Sequence, residues 1–249
     1  MPPIVLTFAA SDPTGGAGMQ ADLLTLAALG CHPLSVLTGI TVQDTTGVEH
    51  LEPLAADLVT RQARALLDET KVAAFKVGVL GSAENVHAVA AIAAAHAQVP
   101  LVLDPVLASG RGDPLATDAV LTALLEVLVP RATVITPNTL ELAQLGGAKR
   151  LLELGCRYVL VTGTHEAGAE VTNKLYDSGG LVREDRWKRL PDSYHGSGCT
   201  LAAALAAQLA HGRDVAEAAR AAQEFTWQAL AAGFRSGAGQ ALPNRFFER

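Results

Sequence analysis

The chain has 249 residues, 49% of them hydrophobic and 18% charged, with a formal net charge of −6 at pH 7. This composition is typical of a compact soluble globular protein and excludes extensive disorder. The 19 basic residues are scattered and aromatic residues make up only 4%, so we expect neither a nucleic-acid surface nor base stacking.

Short apolar runs alternate with longer alanine- and leucine-rich stretches along most of the chain. The strands predicted from this pattern are residues 4–9, 34–42, 73–77, 100–103, 133–135 and 157–161. The predicted helices are residues 18–29, 53–67, 83–97, 116–128, 140–154, 200–210 and 215–232. The alternation favours one domain over residues 1–249, with a mostly parallel sheet covered by helices on both faces. Residues 170–177 and 181–190 flank Ser178-Gly179-Gly180 and predict an antiparallel hairpin at the sheet edge.

The cysteines and the N-terminal residues indicate in which cellular compartment the protein is expected. Cys31, Cys156 and Cys199 are odd in number and widely spaced, which does not fit a disulfide framework. The first apolar run is short and lacks a basic flank, and no run approaches the roughly 18 residues of a membrane span. We therefore expect a cytoplasmic protein without a membrane partner.

A glycine-rich turn precedes the helix predicted from residue 200. It reads Tyr194-His195-Gly196-Ser197-Gly198-Cys199-Thr200. Backbone N–H groups at such a helix start bind anions such as phosphate, and the same field would lower the pKa of Cys199 from about 8.5. The alternative is that Ser197 or Thr200 caps the helix and Cys199 simply packs.

Polar residues follow each predicted strand, where ligands bind in open α/β sheets. Asp104 and Glu141 could hold Mg²⁺, which prefers oxygen ligands. Asn138 and Glu141 also have the spacing of a capping box, and both interpretations stay open.

The first loop suggests a different class of enzyme. Gly16-Ala17-Gly18-Met19-Gln20-Ala21 matches the looser dinucleotide fingerprint, which would indicate an NAD-dependent oxidoreductase. The acidic residue expected after the second strand, Asp44, comes late. No Gly-Lys pair occurs, so a Walker-type phosphate loop is absent.

In combination these segments resemble the hydroxymethylpyrimidine/phosphomethylpyrimidine kinases of thiamine biosynthesis, in the ribokinase-like superfamily. The resemblance runs along nearly the whole chain and is strongest in residues 10–22 and 195–200; residues 42–45, 76–78, 103–106 and 136–141 support it in the same order. It implies a three-layer α/β/α sandwich, use of ATP and Mg²⁺, and a homodimer.

The resemblance also implies a role for individual residues. Phosphorylation would occur at the hydroxymethyl group of 4-amino-5-hydroxymethyl-2-methylpyrimidine and then at the resulting monophosphate. The implied pyrimidine pocket consists of Gln43, Asp22, Ala17, Val79 and Val106. The implied transfer site consists of Gly196 and Gly198 as N–H donors, Cys199 as the base, Asn138, Thr162 and Ser197 on the ATP phosphates, and Glu141 and Asp104 at the metal.

Some positions depart from the family pattern. Thr162 stands where a lysine usually touches the ATP phosphates, and Arg111 is the candidate replacement. Asp44 stands where the family usually has Asn, and the stretch between Glu141 and Gly155 is short. These departures question the second phosphorylation. The alternatives are a pyridoxal or pyridoxine kinase of the same superfamily, a non-catalytic pyrimidine-binding regulator, and the oxidoreductase.

Overall fold

The computed structural model describes residues 1–109 and 112–248. Its centre is a nine-stranded sheet in the order β3-β2-β1-β4-β5-β6-β7-β8-β9. The strands are β1 (Ile4–Ser11), β2 (His32–Gln43), β3 (Val48–Pro53), β4 (Ala74–Val77), β5 (Leu101–Leu103), β6 (Val134–Ile135), β7 (Tyr158–Val161), β8 (Glu170–Asp177) and β9 (Gly180–Lys188). The six strands from β2 to β7 in this order are parallel, whereas β3 pairs antiparallel with β2, β8 with β7 and β9 with β8. The predicted parallel sheet with an antiparallel edge hairpin is confirmed.

Helices cover both faces of the sheet. They are α1 (Gly18–Ala28), α2 (Ala56–Leu67), α3 (Ala83–Ala95), α4 (Asp118–Ala123), α5 (Thr139–Gln144), α6 (Ala148–Glu153), α7 (Ser197–Ala210) and α8 (Val215–Ala231). A π-helical turn, Leu124–Leu128, continues α4. Among the described residues, no helix is long and apolar enough to cross a membrane.

The alternation of side chains along β1 separates the two cores. Val5 packs with α1, α7 and α8 on one face, whereas Leu6 and Phe8 pack with α2 and α3 on the other. Helix α7 is buried almost all round, and its run of alanines allows close packing against α1, α8 and the sheet. The result is a three-layer α/β/α sandwich.

The structure differs from the predicted elements in two places. Strand β3 was not predicted, because its Val-Glu-His-Leu-Glu-Pro sequence lacks the apolar pattern of a buried strand; pairing with β2 stabilises it as an edge. The helix predicted over residues 140–154 is split into α5 and α6 by Gly146 and Gly147, whose φ angles are 88° and 92°. Arg111, the predicted replacement cation, lies outside the described residues.

Candidate active site

The turn before α7 lies against the loop that follows β1. Gly196 has a φ of 82°, and a Cβ placed on it would lie 1.8 Å from the carbonyl oxygen of Gly16. Only glycine fits this backbone conformation and this close approach. No side chain among the described residues caps α7, so Ser197 and Thr200 do not fill the predicted capping role. Its first N–H groups are therefore available to an anion.

Cys199 lies in the first turn of α7, and its protonation state differs from the prediction. Its thiol donates to Asp104, and the N–H of Gly18 donates to its sulfur. Burial raises the pKa of Cys199 to about 12 despite the nearby charge of Lys76, and Asp104 and Asp22 add to the rise. The predicted lowering of this pKa is wrong, because desolvation outweighs the helix N-terminus. Cys199 is a thiol at neutral pH.

Asp22 and Lys76 form a buried ion pair beneath this turn. The Lys76 Nζ lies 2.9 Å from Asp22 Oδ1, and both side chains are 0% exposed. The hydroxyl of Thr7 also donates to Asp22. The Asp22 carboxylate is fully buried in this ion pair, and its predicted place in the pyrimidine pocket stays a prediction.

Lys76 has no predicted role. Burial would lower its pKa, but the adjacent Asp22 carboxylate holds that pKa above its ordinary value. The signal in the sequence is a lysine inside the apolar strand Ala74-Phe75-Lys76-Val77. A lysine in a fully buried strand needs a carboxylate partner.

Three segments meet through Asp12, His195 and Gln43. The His195 Nε2 lies 2.8 Å from Asp12 Oδ2 and 3.3 Å from the amide nitrogen of Gln43. Asp12 also accepts from the N–H of Ala17 at 2.7 Å. Burial would raise the pKa of Asp12, but hydrogen bonds from His195, Thr14 and Ala17 lower it to about 2. The ionised Asp12 thus places Ala17 and Gln43 along one wall.

Predicted site residues that follow β5 and β6 form a second group. The capping box is present: Asn138 Oδ1 accepts from the N–H of Glu141 at 2.9 Å, and Glu141 accepts from the N–H of Asn138 at 2.9 Å. Thr162 is paired with Asn138 across an isolated parallel bridge between the segments that follow β6 and β7. The structure therefore brings together Asn138, Thr162 and Glu141, which were predicted for the ATP phosphates and the metal.

The carboxylates of Asp104 and Glu141 lie close enough to repel each other. Burial raises the pKa of Asp104 to about 6, whereas burial and the charge of Asp104 raise that of Glu141 to about 8. Asp104 Oδ2 is buried without a hydrogen-bond partner among the described residues. Two raised carboxyl pKa values and an unpaired buried oxygen fit a cation such as Mg²⁺.

The remaining predicted residues lie around these two groups. A Cβ placed on Gly198 would lie 3.8 Å from Asp104 Oδ1, so the start of α7 lies between the groups. Val106 lines a small cavity with Asp104, Pro105, Gly78 and Leu80. Val79 is half-buried beside it, and its carbonyl accepts from the hydroxyl of Thr38 at 2.6 Å.

A family comparison decides what kind of protein carries this arrangement. The family model described as phosphomethylpyrimidine kinase matches residues 12–244. The chain belongs to this family. A hydroxymethylpyrimidine/phosphomethylpyrimidine kinase of Streptomyces coelicolor is 42% identical to it, over 96% of this chain and 92% of that protein. The protein of the same name from Rhizobium meliloti is 38% identical, over 96% and 95%. The predicted family and the prediction that the protein is a kinase are confirmed.

Solved structures confirm the ribokinase-like fold. The ADP complex of Bacillus subtilis pyridoxal kinase has a TM-score of 0.91 at 31% identity, covering 98% of both chains. Staphylococcus aureus pyridoxal kinase with AMP-PCP and pyridoxal has a TM-score of 0.88 at 28% identity, covering 100% of this chain and 96% of that one. Phosphomethylpyrimidine kinase of Clostridium difficile 630 has a TM-score of 0.77 at 32% identity, covering 90% and 97%.

Close packing explains the glycine spacing in the loop that resembled a dinucleotide fingerprint. A Cβ placed on Gly18 would lie 2.5 Å from the carbonyl oxygen of Ala10, and one on Gly16 would lie 2.4 Å from the ring of His195. These glycines allow close packing of the loop against β1 and the turn before α7. Their spacing therefore needs no bound dinucleotide.

Proposed function

We propose that this protein is a single-domain, ATP-dependent kinase that phosphorylates 4-amino-5-hydroxymethyl-2-methylpyrimidine and then its monophosphate, supplying thiamine diphosphate biosynthesis. One observation carries the proposal: the uncapped start of α7 lies directly beside Cys199 and the carboxylate of Asp104. An anion site next to a cation site is what transfer of a phosphoryl group requires.

Gln43 is the residue proposed to read the pyrimidine. A side-chain amide can donate to a ring nitrogen and accept from the neighbouring exocyclic amine. His195 Nε2 donates to the ionised Asp12 and lies 3.3 Å from the Gln43 amide nitrogen, so the imidazole ring is fixed beside the amide. Ala17, Val79 and Val106 would form the apolar walls.

Gly196, Ser197 and Gly198 are proposed to donate backbone N–H groups to the phosphoryl group. Its loose transition state spreads charge over three oxygens, so fixed donors contribute more than proton removal does. Cys199 is proposed to relay the proton of the substrate hydroxyl. As the new P–O bond forms, the hydroxyl proton passes to the sulfur while the thiol proton passes to the ionised Asp104 carboxylate, to which the thiol already donates, so that the sulfur stays a neutral thiol.

Glu141 and Asp104 are the proposed Mg²⁺ ligands, with Asn138 and Thr162 on the ATP phosphates beside them. Bound Mg²⁺ would neutralise the phosphate charge of ATP. The unpaired Oδ2 of Asp104 and the raised pKa of Glu141 support this assignment.

The test is to incubate the protein with Mg-ATP and the hydroxymethylpyrimidine and follow the products by mass spectrometry. We expect monophosphate first and then diphosphate. Monophosphate alone would restrict the activity to the first step, as Thr162 in place of a lysine suggests. Absence of any product would contradict the proposal, and tight pyrimidine binding without turnover would indicate a regulator.

Pyridoxal phosphorylation is the second candidate. It is favoured by the TM-score of 0.91 with a pyridoxal kinase, compared with 0.77 for the Clostridium difficile phosphomethylpyrimidine kinase. The same assay with pyridoxal decides between them. A higher kcat/KM for pyridoxal than for the pyrimidine would make the protein a pyridoxal kinase.

A further inference from the structure

The C-terminal segment passes beneath the turn before α7. The carbonyl of Ala241 accepts from the N–H of His195 at 2.9 Å, and Ala241 is bridged to Tyr194. Four residues later the side chain of Arg245 enters the protein and is only 5% exposed. An arginine is rarely buried without several acceptors, so its partners indicate why it lies there.

The guanidinium of Arg245 joins two segments of the proposed transfer site. On one side, its Nη1 and Nη2 donate to the carbonyls of Gly15 and Gly16, at 3.2 and 2.5 Å. On the other side, its Nε and Nη2 donate to the hydroxyl oxygen of Thr200, at 3.2 and 3.0 Å. That hydroxyl donates in turn to the carbonyl of Gly196 at 2.8 Å. One planar group therefore ties the loop after β1 to the first turn of α7.

The junction that Arg245 ties together has little space for movement. The carbonyl of Gly16, which accepts from Arg245, is the atom that a Cβ on Gly196 would approach to 1.8 Å. Two residues further along the same loop, the N–H of Gly18 donates to the sulfur of Cys199. A shift of the loop would therefore displace both the N–H donors of α7 and the thiol.

Charges around Arg245 favour its buried position. Desolvation lowers the pKa of Arg245 to about 10, whereas the carboxylates of Asp22 and Asp12 counteract that fall. The guanidinium thus remains charged at neutral pH. The two carbonyls and the Thr200 hydroxyl accept the hydrogen bonds of the guanidinium, and all three are groups of the protein itself.

We propose that Arg245 is a positioning residue for phosphoryl transfer, which holds the loop Gly15–Gly16 against the first turn of α7 so that the N–H donors and Cys199 keep their arrangement. The proposal rests on the proposed kinase function. The hydrogen-bond partners of Arg245 are not among the residues proposed to bind the pyrimidine or the ATP phosphates, so its loss should affect the transfer step more than the binding of either substrate.

Kinetics of Arg245→Met and Arg245→Lys provide the first test, with Arg213→Met as the control. Arg213 is exposed beyond the far end of α7. We expect Arg245→Met to lower kcat by about 10- to 100-fold with little change in either KM, because misplacement of about 1 Å has effects of this size. Arg245→Lys keeps the charge but cannot reach all three acceptors at once, so its kcat should be intermediate. A kcat within about twofold of the wild type for both variants would overturn the proposal.

Hydrogen exchange in the ligand-free protein provides a test that needs no activity. We expect Arg245→Met to accelerate exchange by at least about fivefold in peptides covering residues 15–20 and 195–202, and not in α3. Uniform acceleration along the chain would show a role in global stability only and would overturn the proposal, as would unchanged exchange. If Arg245→Met does not fold, the same measurements on Arg245→Lys decide. If the wild type lacks kinase activity, the proposed function fails while exchange still tests the junction.

Discussion

Cys199 is subject to two opposing effects on its pKa. A helix N-terminus stabilises a negative charge by about 0.3–1 kcal/mol, which is less than one pKa unit. Burial can raise the pKa of an acid by about 3–5 units, and here Asp104 and Asp22 add their negative charges. Burial prevails even with Lys76 nearby, so the sulfur of Cys199 is a thiol although it lies at a helix start.

The proposed role of Cys199 predicts a strong effect of Cys199→Ala. Because this variant removes the proton acceptor beside the transfer site, kcat should fall by about 10²- to 10⁴-fold while the fold is retained. The measurements are steady-state kinetics and circular dichroism. Cys31→Ala is the matched control, since Cys31 is buried between α1 and α7 with His211 beside it. Near-normal turnover of Cys199→Ala would exclude Cys199 as an essential base.

Asp12 predicts how stability depends on pH. Its pKa falls from 3.8 to about 2 in the folded protein, so the carboxylate stabilises the fold above about pH 4 and this contribution is lost as the pH falls toward 2. Asp12→Asn should therefore lower the free energy of unfolding by about 2 kcal/mol at pH 7 and by progressively less below pH 4. Urea unfolding at several pH values measures this. The exposed Asp68→Asn should show no such trend, and a constant deficit for Asp12→Asn would contradict the pKa.

The candidate residues could be predicted only where a motif placed them at strand ends or at the start of a helix. Asn138, Glu141 and Asp104 lie together as expected for that reason. The ion pair of Asp22 with Lys76 could not be predicted, because the position of Asp22 on α1 does not reveal its partner on β4. Such pairs depend on contacts distant in sequence, which local patterns do not contain.

At the scale of the elements, periodicity predicted the buried strands and long helices well. Periodicity failed where pairing with a neighbouring strand or the backbone conformation of a glycine determines the secondary structure. The polar β3 depends on pairing with β2, and the break between α5 and α6 depends on two glycines at positive φ. Neither a strand edge nor a left-handed glycine produces a hydrophobic pattern.

A buried amide attaches the edge hairpin to α8 and provides a prediction at this scale. The Gln223 Oε1 accepts from Asn173 and Trp187 at 2.9 and 3.0 Å, and its amide nitrogen donates to Asp185 at 2.9 Å. Gln223→Leu leaves the buried Asn173 and Asp185 and the half-buried Trp187 without this partner, so the free energy of unfolding should fall by about 2–4 kcal/mol. Urea unfolding measures the loss.

Gln228→Leu is the matched control for the amide network, because Gln228 is exposed on the same helix. Its effect should stay within about 0.5 kcal/mol. Equal stability of the two variants would show that the network contributes nothing to holding the hairpin.

At the scale of the whole molecule, the site unites segments from both ends of the chain. The ends of β1, β5, β6 and β7 lie along one edge because the strands are parallel, and α7 returns to that edge. The sequence pattern predicts this convergence through the strand order of such folds. It does not predict that the C-terminal Arg245 completes the junction, since nothing near Arg245 in the sequence indicates its acceptors.

The outer surface of the sheet leads to the last prediction, that two copies of the chain associate. Ile40 and Val42 are 50% and 52% exposed on the same face of β2, next to the edge strand β3. Adjacent exposed apolar side chains on a sheet favour burial against a partner. We propose a homodimer through this face, for which light scattering after gel filtration should give twice the mass of one chain. Ile40→Glu with Val42→Glu should give monomers, whereas Leu181→Glu in the hairpin should not. A dimer disrupted only by Leu181→Glu would place the interface on the β8–β9 edge instead, and a monomeric wild type would contradict association altogether.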